Sequence, residues 1–125
     1  MFRFLSPLLG TWPSPLTMKL KVPSGIFSVF SVSFTESARQ DLLHLRPFDQ
    51  RRLTEGIERQ LTAEPLSETR NRKPLEPNPL ATWELRIGTL RVFYDVETER
   101  NLVSVRAIGR KDGNTLFIRG EEHPL

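Results

Sequence analysis

The segment WELRIGTLRVFY, from Trp83 to Tyr94, predicts a two-stranded antiparallel hairpin. Apolar and polar residues alternate on both sides of Gly88-Thr89, and glycine at the first position of a two-residue loop suits a type II′ turn. If Ile87 pairs with Leu90, the residues of each following pair prefer the same face of the sheet. The other predicted pairs are Arg86 with Arg91, Leu85 with Val92, Glu84 with Phe93, and Trp83 with Tyr94.

This register places Arg86 directly opposite Arg91 on the polar face. Like charges that face each other across a sheet are unfavourable. Two neighbouring guanidinium groups are well suited to an anion that both can bind, and phosphate accepts such charge-assisted hydrogen bonds. The hairpin therefore predicts an anion-binding face, with phosphate as the natural ligand.

A third strand, from about Leu102 to Gly109, extends the sheet, and a short apolar run, Leu116-Phe117-Ile118, follows near the end. If Glu97 closes on Leu102, the predicted pairs are Tyr94 with Val105, Phe93 with Arg106, Val92 with Ala107, and Arg91 with Ile108. One face of this sheet is apolar and must carry helices. The opposite face presents Glu84, Arg86, Arg91, Phe93 and Arg106, and Arg110 and Lys111 follow at the end of the strand.

Two helices are predicted before the sheet, after a strand from Ile26 to Phe34. Thr35 can cap the first helix, Arg46-Pro47 breaks it, and Asp49 can cap the second. Apolar residues recur at helical spacing in both, namely Ala38, Leu42 and Leu45, then Leu53, Ile57 and Leu61. The predicted fold is α+β, with two N-terminal helices packed on one face of a small antiparallel sheet.

The composition fits one soluble globular domain of ordinary size. The chain has 125 residues, of which 38% are hydrophobic and 26% charged. Residues 1–25 are proline-rich and weakly periodic, so we expect a loosely ordered arm with Met18 as an alternative start, followed by a domain over residues 26–125. No apolar run reaches the roughly 20 residues that cross a bilayer, and we expect neither a signal peptide nor a membrane partner.

The chain has no cysteine and only two histidines, His44 and His123, which lie far apart. This excludes disulfides and thiolate chemistry, and it fits a reducing compartment such as the cytoplasm. We expect no metal and no cofactor. Basic residues exceed acidic ones between Arg70 and Lys111, and the loop cluster Arg70-Asn71-Arg72-Lys73 is either a phosphate clamp or a solvated loop.

An aromatic ring flanked by guanidinium groups has two interpretations. Phe93, with the arginines on either side, suits a stacked RNA base and its phosphate. The same mixture of arginine and aromatic residues is also enriched where proteins bind other proteins. The sequence leaves both open.

The arrangement resembles the RelE/ParE toxins of bacterial type II toxin-antitoxin systems over roughly residues 33–118. The resemblance rests on the order and spacing of four segments. They are Phe34-Thr35-Glu36-Ser37-Ala38, Asn71-Arg72-Lys73-Pro74-Leu75, the hairpin from Leu85 to Tyr94, and Val105-Arg106-Ala107-Ile108-Gly109-Arg110-Lys111. It implies helices packed on an antiparallel sheet, and a cognate antitoxin that wraps the toxin and links it to operator DNA.

The ribonuclease branch of that family cleaves mRNA on the ribosome and so inhibits translation. The resemblance implies that Arg91 holds the scissile phosphate and that Lys111, or Arg110 beside it, supplies a second cation. Glu84 is a candidate base, with Glu76 as a second candidate, although a carboxylate between arginines also suits a simple ion pair. The substrate-binding set is Arg72, Lys73, Arg86, Phe93, Arg106 and Phe117.

Three positions depart from the ribonuclease pattern. Thr82 and Glu84 stand where that branch often has lysines, and Phe117 falls near its catalytic tyrosine but has no hydroxyl. Two alternatives to an mRNA endoribonuclease therefore stay open. One is a gyrase-inhibiting ParE-type toxin, which acts by binding, and the other is a catalytically decayed toxin that only binds antitoxin and the operator complex.

Overall fold

A computed structural model describes residues 17–18 and 30–124 of the chain. Most of the predicted arm, and the start of the domain at residue 26, lie outside the described residues. Two α-helices are present in the described part, α1 (Glu36–His44) and α2 (Pro47–Leu61). The described strands are β1 (Thr17–Met18), β2 (Ser31–Phe34), β3 (Arg72–Pro74), β4 (Trp83–Ile87), β5 (Leu90–Glu97), β6 (Leu102–Asp112), β7 (Thr115–Ile118) and β8 (Glu121–Glu122).

These strands form one sheet in the order β1-β2-β6-β5-β4-β3, and β7 pairs with both β6 and β8. Strand β2 runs parallel to β6, whereas every other described pair is antiparallel. A parallel neighbour needs a crossover connection, and α1 and α2 lie in the chain between these two strands. The predicted α+β class is confirmed, and β2 is the exception to the predicted antiparallel pairing.

The predicted β4–β5 hairpin register is confirmed at all five pairs, from Trp83 with Tyr94 to Ile87 with Leu90. Gly88 has a φ of +61°, the positive value that the first position of the predicted turn requires. The rings of Trp83 and Tyr94 stack with centroids 6.2 Å apart. Local alternation and one glycine therefore suffice to set this register.

The predicted β5–β6 register is correct only in its first half. Tyr94 faces Val105 as predicted, but the register then shifts, and Phe93 faces Ala107 rather than Arg106. The predicted pairs Val92 with Ala107 and Arg91 with Ile108 are wrong for the same reason. Arg106, between the paired residues Val105 and Ala107, is the extra residue of a β-bulge. The bulge reverses the alternation and brings Ile108, rather than Ala107, into the core under the helices.

The helix caps agree with the sequence at α1 and differ at α2. The Thr35 hydroxyl accepts a hydrogen bond from the Ala38 amide at 3.1 Å, as predicted. Helix α2 begins at Pro47 and has no side-chain cap. The prediction of Asp49 as a cap is wrong, because its side chain is buried in contact with Arg110 of β6.

Both faces of the sheet are covered by apolar packing. The main core joins α1 and α2 to the sheet and includes Leu42, Leu53, Val92 and Val105. A second, smaller core lies on the opposite face, which the sequence predicted to be exposed. It contains Ala81, Phe93, Ala107 and Leu116, with Leu75, Leu80 and Ile118 packed against it.

Neither of the two described helices combines the length and the apolar character needed to cross a membrane.

Candidate functional site

A buried carboxylate on β4 lies at the centre of three cationic side chains. The Oε2 atom of Glu84 is 3.1 Å from Nε of Arg91 and 3.5 Å from Nε of Arg86. Its Oε1 atom is 3.9 Å from Nζ of Lys73. We call these four residues the Glu84 cluster; three cations and one carboxylate leave it a net charge of +2.

Strand register alone places these four side chains together. Lys73 pairs with Glu84 across β3 and β4, and Arg86 pairs with Arg91 across β4 and β5. Glu84 and Arg86 are two residues apart on one strand, so their side chains share a face. The paired arginines that the sequence predicted are therefore real neighbours, and Glu84 offsets their repulsion.

Arg91 is the most constrained cation of the Glu84 cluster. Its side chain is 13% exposed, against 43% for Arg86 and 45% for Lys73. Its Nη1 atom donates to the carbonyls of Gly88 at 2.7 Å and Leu90 at 2.9 Å. Burial lowers the pKa of Arg91 from its usual value, but an arginine remains charged in proteins. The guanidinium is thus a fixed positive group at the turn.

Lys111 lies beside Arg91 on the same face of the sheet. Arg91 pairs with Gly109, and Lys111 follows two residues later on β6. Its backbone amide donates to the carbonyl of Thr89 at 2.8 Å. The salt bridges among the described residues do not involve its ammonium group.

Arg110 points to the opposite face and belongs to a second cluster. Its Nη2 atom is 2.8 Å from Oδ2 of Asp49, whose side chain is 2% exposed. Arg46 and Arg52 lie 3.3 Å and 3.6 Å from the same carboxylate. The hydrogen bond from Arg110 lowers the pKa of Asp49 from its usual value. We call Arg46, Asp49, Arg52 and Arg110 the Asp49 cluster.

The two clusters meet at the Gly88-Thr89 turn. Arg91 donates to the Gly88 carbonyl from one side. Nη2 of Arg52 lies so close on the other side that a Cβ at Gly88 would be 2.6 Å from it. Nη1 of Arg110 is 3.4 Å from the hydroxyl of Thr89. One end of the sheet is therefore basic on both faces.

Other predicted ligands lie outside these clusters. The guanidinium of Arg106 bonds to Asp95 at 2.9 Å and is separated from Arg91 by the bulge. Arg72 is buried, where it donates to the carbonyls of Gln60 and Ser67 and connects α2 to the following loop. Arg72 therefore anchors the fold in this structure, whereas Lys73 of the same loop lies in the Glu84 cluster.

Of the two predicted aromatic contacts, that of Phe93 needs correction, whereas that of Phe117 stays a prediction. Phe93 is completely buried in the second core, so the prediction that it is exposed for base stacking is wrong. Phe117 pairs with Arg110 across β6 and β7, and paired residues share a face. It therefore lies on the side of the Asp49 cluster and not beside Arg91. Glu76, the second candidate base, is exposed in the loop after β3.

The sequence interpretation missed Arg46, Phe48, Asp49 and Arg52 as a group. Arg46, Asp49 and Arg52 are spaced three residues apart at the start of α2, which was a usable signal, since residues i and i+3 are neighbours on a helix surface. Phe48 is 57% exposed, and the guanidinium carbon of Arg52 lies 5.8 Å from its ring centroid. No sequence signal linked Asp49 to Arg110, which is 61 residues away.

The fold and the site together define a small α+β domain that presents clustered cations at one end of its sheet. Residues 32–114 match the family described as the ParE toxin of type II toxin-antitoxin system, parDE. The chain belongs to this family of toxins, within the RelE/ParE superfamily.

A similar solved structure is a chain of the toxin-antitoxin complex RelBE2 from Mycobacterium tuberculosis. It is 31% identical in sequence, with a TM-score of 0.58, and the match covers 67% of this chain and 92% of that chain. A search of curated proteins found no match. The predicted resemblance to RelE/ParE toxins is confirmed.

Proposed function

We propose that this toxin is a ribosome-dependent mRNA endoribonuclease that inhibits translation. The Glu84 cluster is the observation that carries the proposal. It concentrates three cations on one face, fixes Arg91 against the turn, and places Lys111 alongside. Such preorganised positive charge suits a phosphodiester whose negative charge grows during cleavage.

In this reaction the 2′-hydroxyl of a ribose attacks the adjacent phosphorus, and the 5′-oxygen of the next nucleotide leaves. Arg91 and Arg86 would bind the non-bridging phosphate oxygens as their charge increases. Lys111 would donate a proton to the leaving 5′-oxygen, so that a full negative charge does not develop there. These roles use the cations on the Arg91 face; Arg110, on the other face, would have a supporting role.

Glu84 is better suited to hold the cations than to accept a proton. Its side chain is 5% exposed, and its oxygens lie within 4 Å of three positive groups. A base must reach the 2′-hydroxyl within hydrogen-bond distance, and these contacts already occupy the carboxylate. Glu76, exposed in the loop before β4, remains the other candidate base.

We propose a cognate antitoxin as the protein partner, because the matching structure is that of a toxin-antitoxin complex. The toxin would act in the cytoplasm, where it meets translating ribosomes. It would reach operator DNA only through the antitoxin.

The test compares the wild-type chain with Arg91→Ala and with a matched control, Arg106→Ala. Arg106 is an exposed arginine on the same sheet, but its partner is Asp95 and not Glu84. Each chain is incubated with purified ribosomes programmed with mRNA, and cleavage is mapped by primer extension. We expect Arg91→Ala to lower the cleavage rate by about 10²–10³-fold, as for the loss of one donor to a charged transition state.

Arg106→Ala should cleave at nearly the wild-type rate. Wild-type protein that leaves ribosome-bound mRNA intact would refute the endoribonuclease, and equal activity in Arg91→Ala would refute the assigned site.

A gyrase-inhibiting function is the second candidate, favoured by the occupied carboxylate of Glu84 and by the position of Phe117 on the other face. Both observations weaken acid-base catalysis without weakening anion binding. Expression without antitoxin would then produce broken DNA and inhibited supercoiling, with mRNA uncut. A chain that produces neither effect but still binds antitoxin would be the decayed toxin.

A further inference from the structure

The start of α2 carries an exposed aromatic ring, Phe48, beside Arg52, an arginine to which the proposed reaction assigns no role. We infer that Phe48 and Arg52 form a stacking surface for an unpaired base of single-stranded RNA, next to the phosphate bound by the Glu84 cluster. The inference rests on the proposed function, since it assigns the form of the substrate and a second point of contact.

Phe48 is unusual in its exposure. Among the described residues, Phe48 and Leu66 are the large hydrophobic side chains exposed to solvent, at 57% and 46%. An aromatic side chain is large enough that its burial contributes substantially to folding. More than half of the surface of Phe48 therefore faces solvent, whereas the neighbouring Asp49 is buried.

The surroundings of the ring carry surplus positive charge. The buried carboxylate of Asp49 meets Arg46, Arg52 and Arg110, so the Asp49 cluster has a net charge of +2. The guanidinium of Arg52 lies 5.8 Å from the Phe48 ring centroid and contacts the turn at Gly88. Aromatic rings and guanidinium planes are the groups on which proteins stack unpaired bases beside a basic groove.

The two contact points are close enough for one strand to reach both. Nη1 of Arg91 is 2.7 Å from the Gly88 carbonyl, and Nη2 of Arg52 lies against the other side of the same residue. Because a single residue spans only a few ångströms, these guanidinium groups are within roughly 10 Å of each other. A phosphate on the Glu84 cluster thus places the next nucleotides near Phe48.

Single-stranded RNA fits this surface better than a duplex or a protein. Bases in a duplex are stacked on one another and do not offer a free face to a side chain. Protein interfaces are also rich in phenylalanine and arginine, but two clusters of net charge +2 that meet at one turn favour a polyanion. The occupant we assign is therefore an unpaired stretch of RNA.

The experiment measures binding of the purified chain to a fluorescein-labelled single-stranded RNA of mixed sequence and to the corresponding duplex. Fluorescence anisotropy is recorded at one fixed salt concentration. The variants are Phe48→Ala and Phe48→Trp, and Leu66→Ala is the matched control because it removes the other exposed apolar side chain. Thermal unfolding of each variant checks that the fold is retained.

We expect Phe48→Ala to weaken single-strand binding by about 5- to 150-fold, which corresponds to the loss of one stacked base. Phe48→Trp should bind at least as well as wild type, and Leu66→Ala should bind equally well. Duplex affinity should be the same in the wild type and in Phe48→Ala, because that binding rests on phosphate contacts alone.

The inference would be overturned if Phe48→Ala bound single strands as tightly as the wild type. It would also be overturned if Leu66→Ala lost as much single-strand affinity as Phe48→Ala, or if Phe48→Ala lost as much affinity for the duplex as for the single strand. A wild-type chain that does not bind single-stranded RNA would also overturn it, and so would a loss in Phe48→Ala confined to antitoxin binding. If mRNA is cut on ribosomes while Phe48→Ala binds normally, only the inference fails. If Phe48→Ala weakens single-strand binding but the wild type cuts no mRNA, only the proposed endoribonuclease activity is refuted.

Discussion

Replacing Glu84 with glutamine removes the negative centre of the Glu84 cluster and keeps the shape of the side chain. Loss of one partner of a buried ion pair costs about 3–5 kcal/mol when both partners are buried. Here Arg86 and Lys73 are nearly half exposed, so solvent screens their charges and their share is small. Arg91, at 13% exposure, determines most of the effect, and we expect the free energy of unfolding to fall by about 2–3 kcal/mol in chloride buffer.

Phosphate should restore part of this stability. Without the carboxylate, the net charge of the cluster rises from +2 to +3, and an external anion can take the vacated role. A ligand at a hundred times its dissociation constant adds about 2.7 kcal/mol to a folded state that alone binds it. At equal ionic strength, phosphate should therefore stabilise Glu84→Gln by at least about 1 kcal/mol more than it stabilises the wild type.

The assay is urea unfolding followed by tryptophan fluorescence, since Trp83 lies on the same strand and stacks on Tyr94. Glu97→Gln is the control, because Glu97 forms an exposed ion pair with Arg100 and its loss should change little. Equal stability of Glu84→Gln and the wild type in chloride would refute the stabilising role of Glu84. Equal stabilisation of both proteins by phosphate would refute the predicted effect of phosphate, because phosphate would then not replace the missing carboxylate among the cations.

Two further substitutions test the packing and the second cluster. A Cβ at Gly109 would lie 2.6 Å from the Phe117 carbonyl oxygen, so Gly109→Ala should lower the free energy of unfolding by about 1–3 kcal/mol, and an unchanged urea midpoint would contradict this contact. Arg110 lowers the pKa of Asp49 below its usual 3.8. The ionised carboxylate therefore stabilises the fold above pH 3.8, and this stabilisation is lost as the pH falls through the lowered pKa. Asp49→Asn should cost about 1–2 kcal/mol at pH 7 and less at pH 3, whereas a cost that does not change with pH would show that charge is not the cause.

The sequence predicted the hairpin register because the signal is entirely local. Alternation on both strands and a glycine at the turn allow one register, and the structure has it. The bulge in β6 was harder to predict, because Val103, Val105 and Ala107 continue the alternation without interruption. The relevant signal was size: Ile108 fills the core under the helices better than Ala107, so the strand gains by shifting its register.

The site was predictable to the extent that strand register defines it. Arg86 and Arg91 followed from the hairpin, and Glu84 was placed beside them. The exposure of Phe93 was predicted incorrectly, because a proline-rich loop gave no sign that Leu75, Leu80 and Ala81 would pack over the sheet. Distant contacts such as that between Asp49 and Arg110 leave no periodic pattern in a single sequence.

The register of β4 determines both the packing of the core and the assembly of the Glu84 cluster. A one-residue slip of this strand would turn Leu85 out of the core and bring Glu84 into it, because successive side chains point to opposite faces. The same slip would separate Arg86 from Arg91 and dissolve the Glu84 cluster. A chain with this slip would therefore be less stable and would also lose the proposed phosphate-binding cations, so the fold and the proposed activity depend on the same strand register.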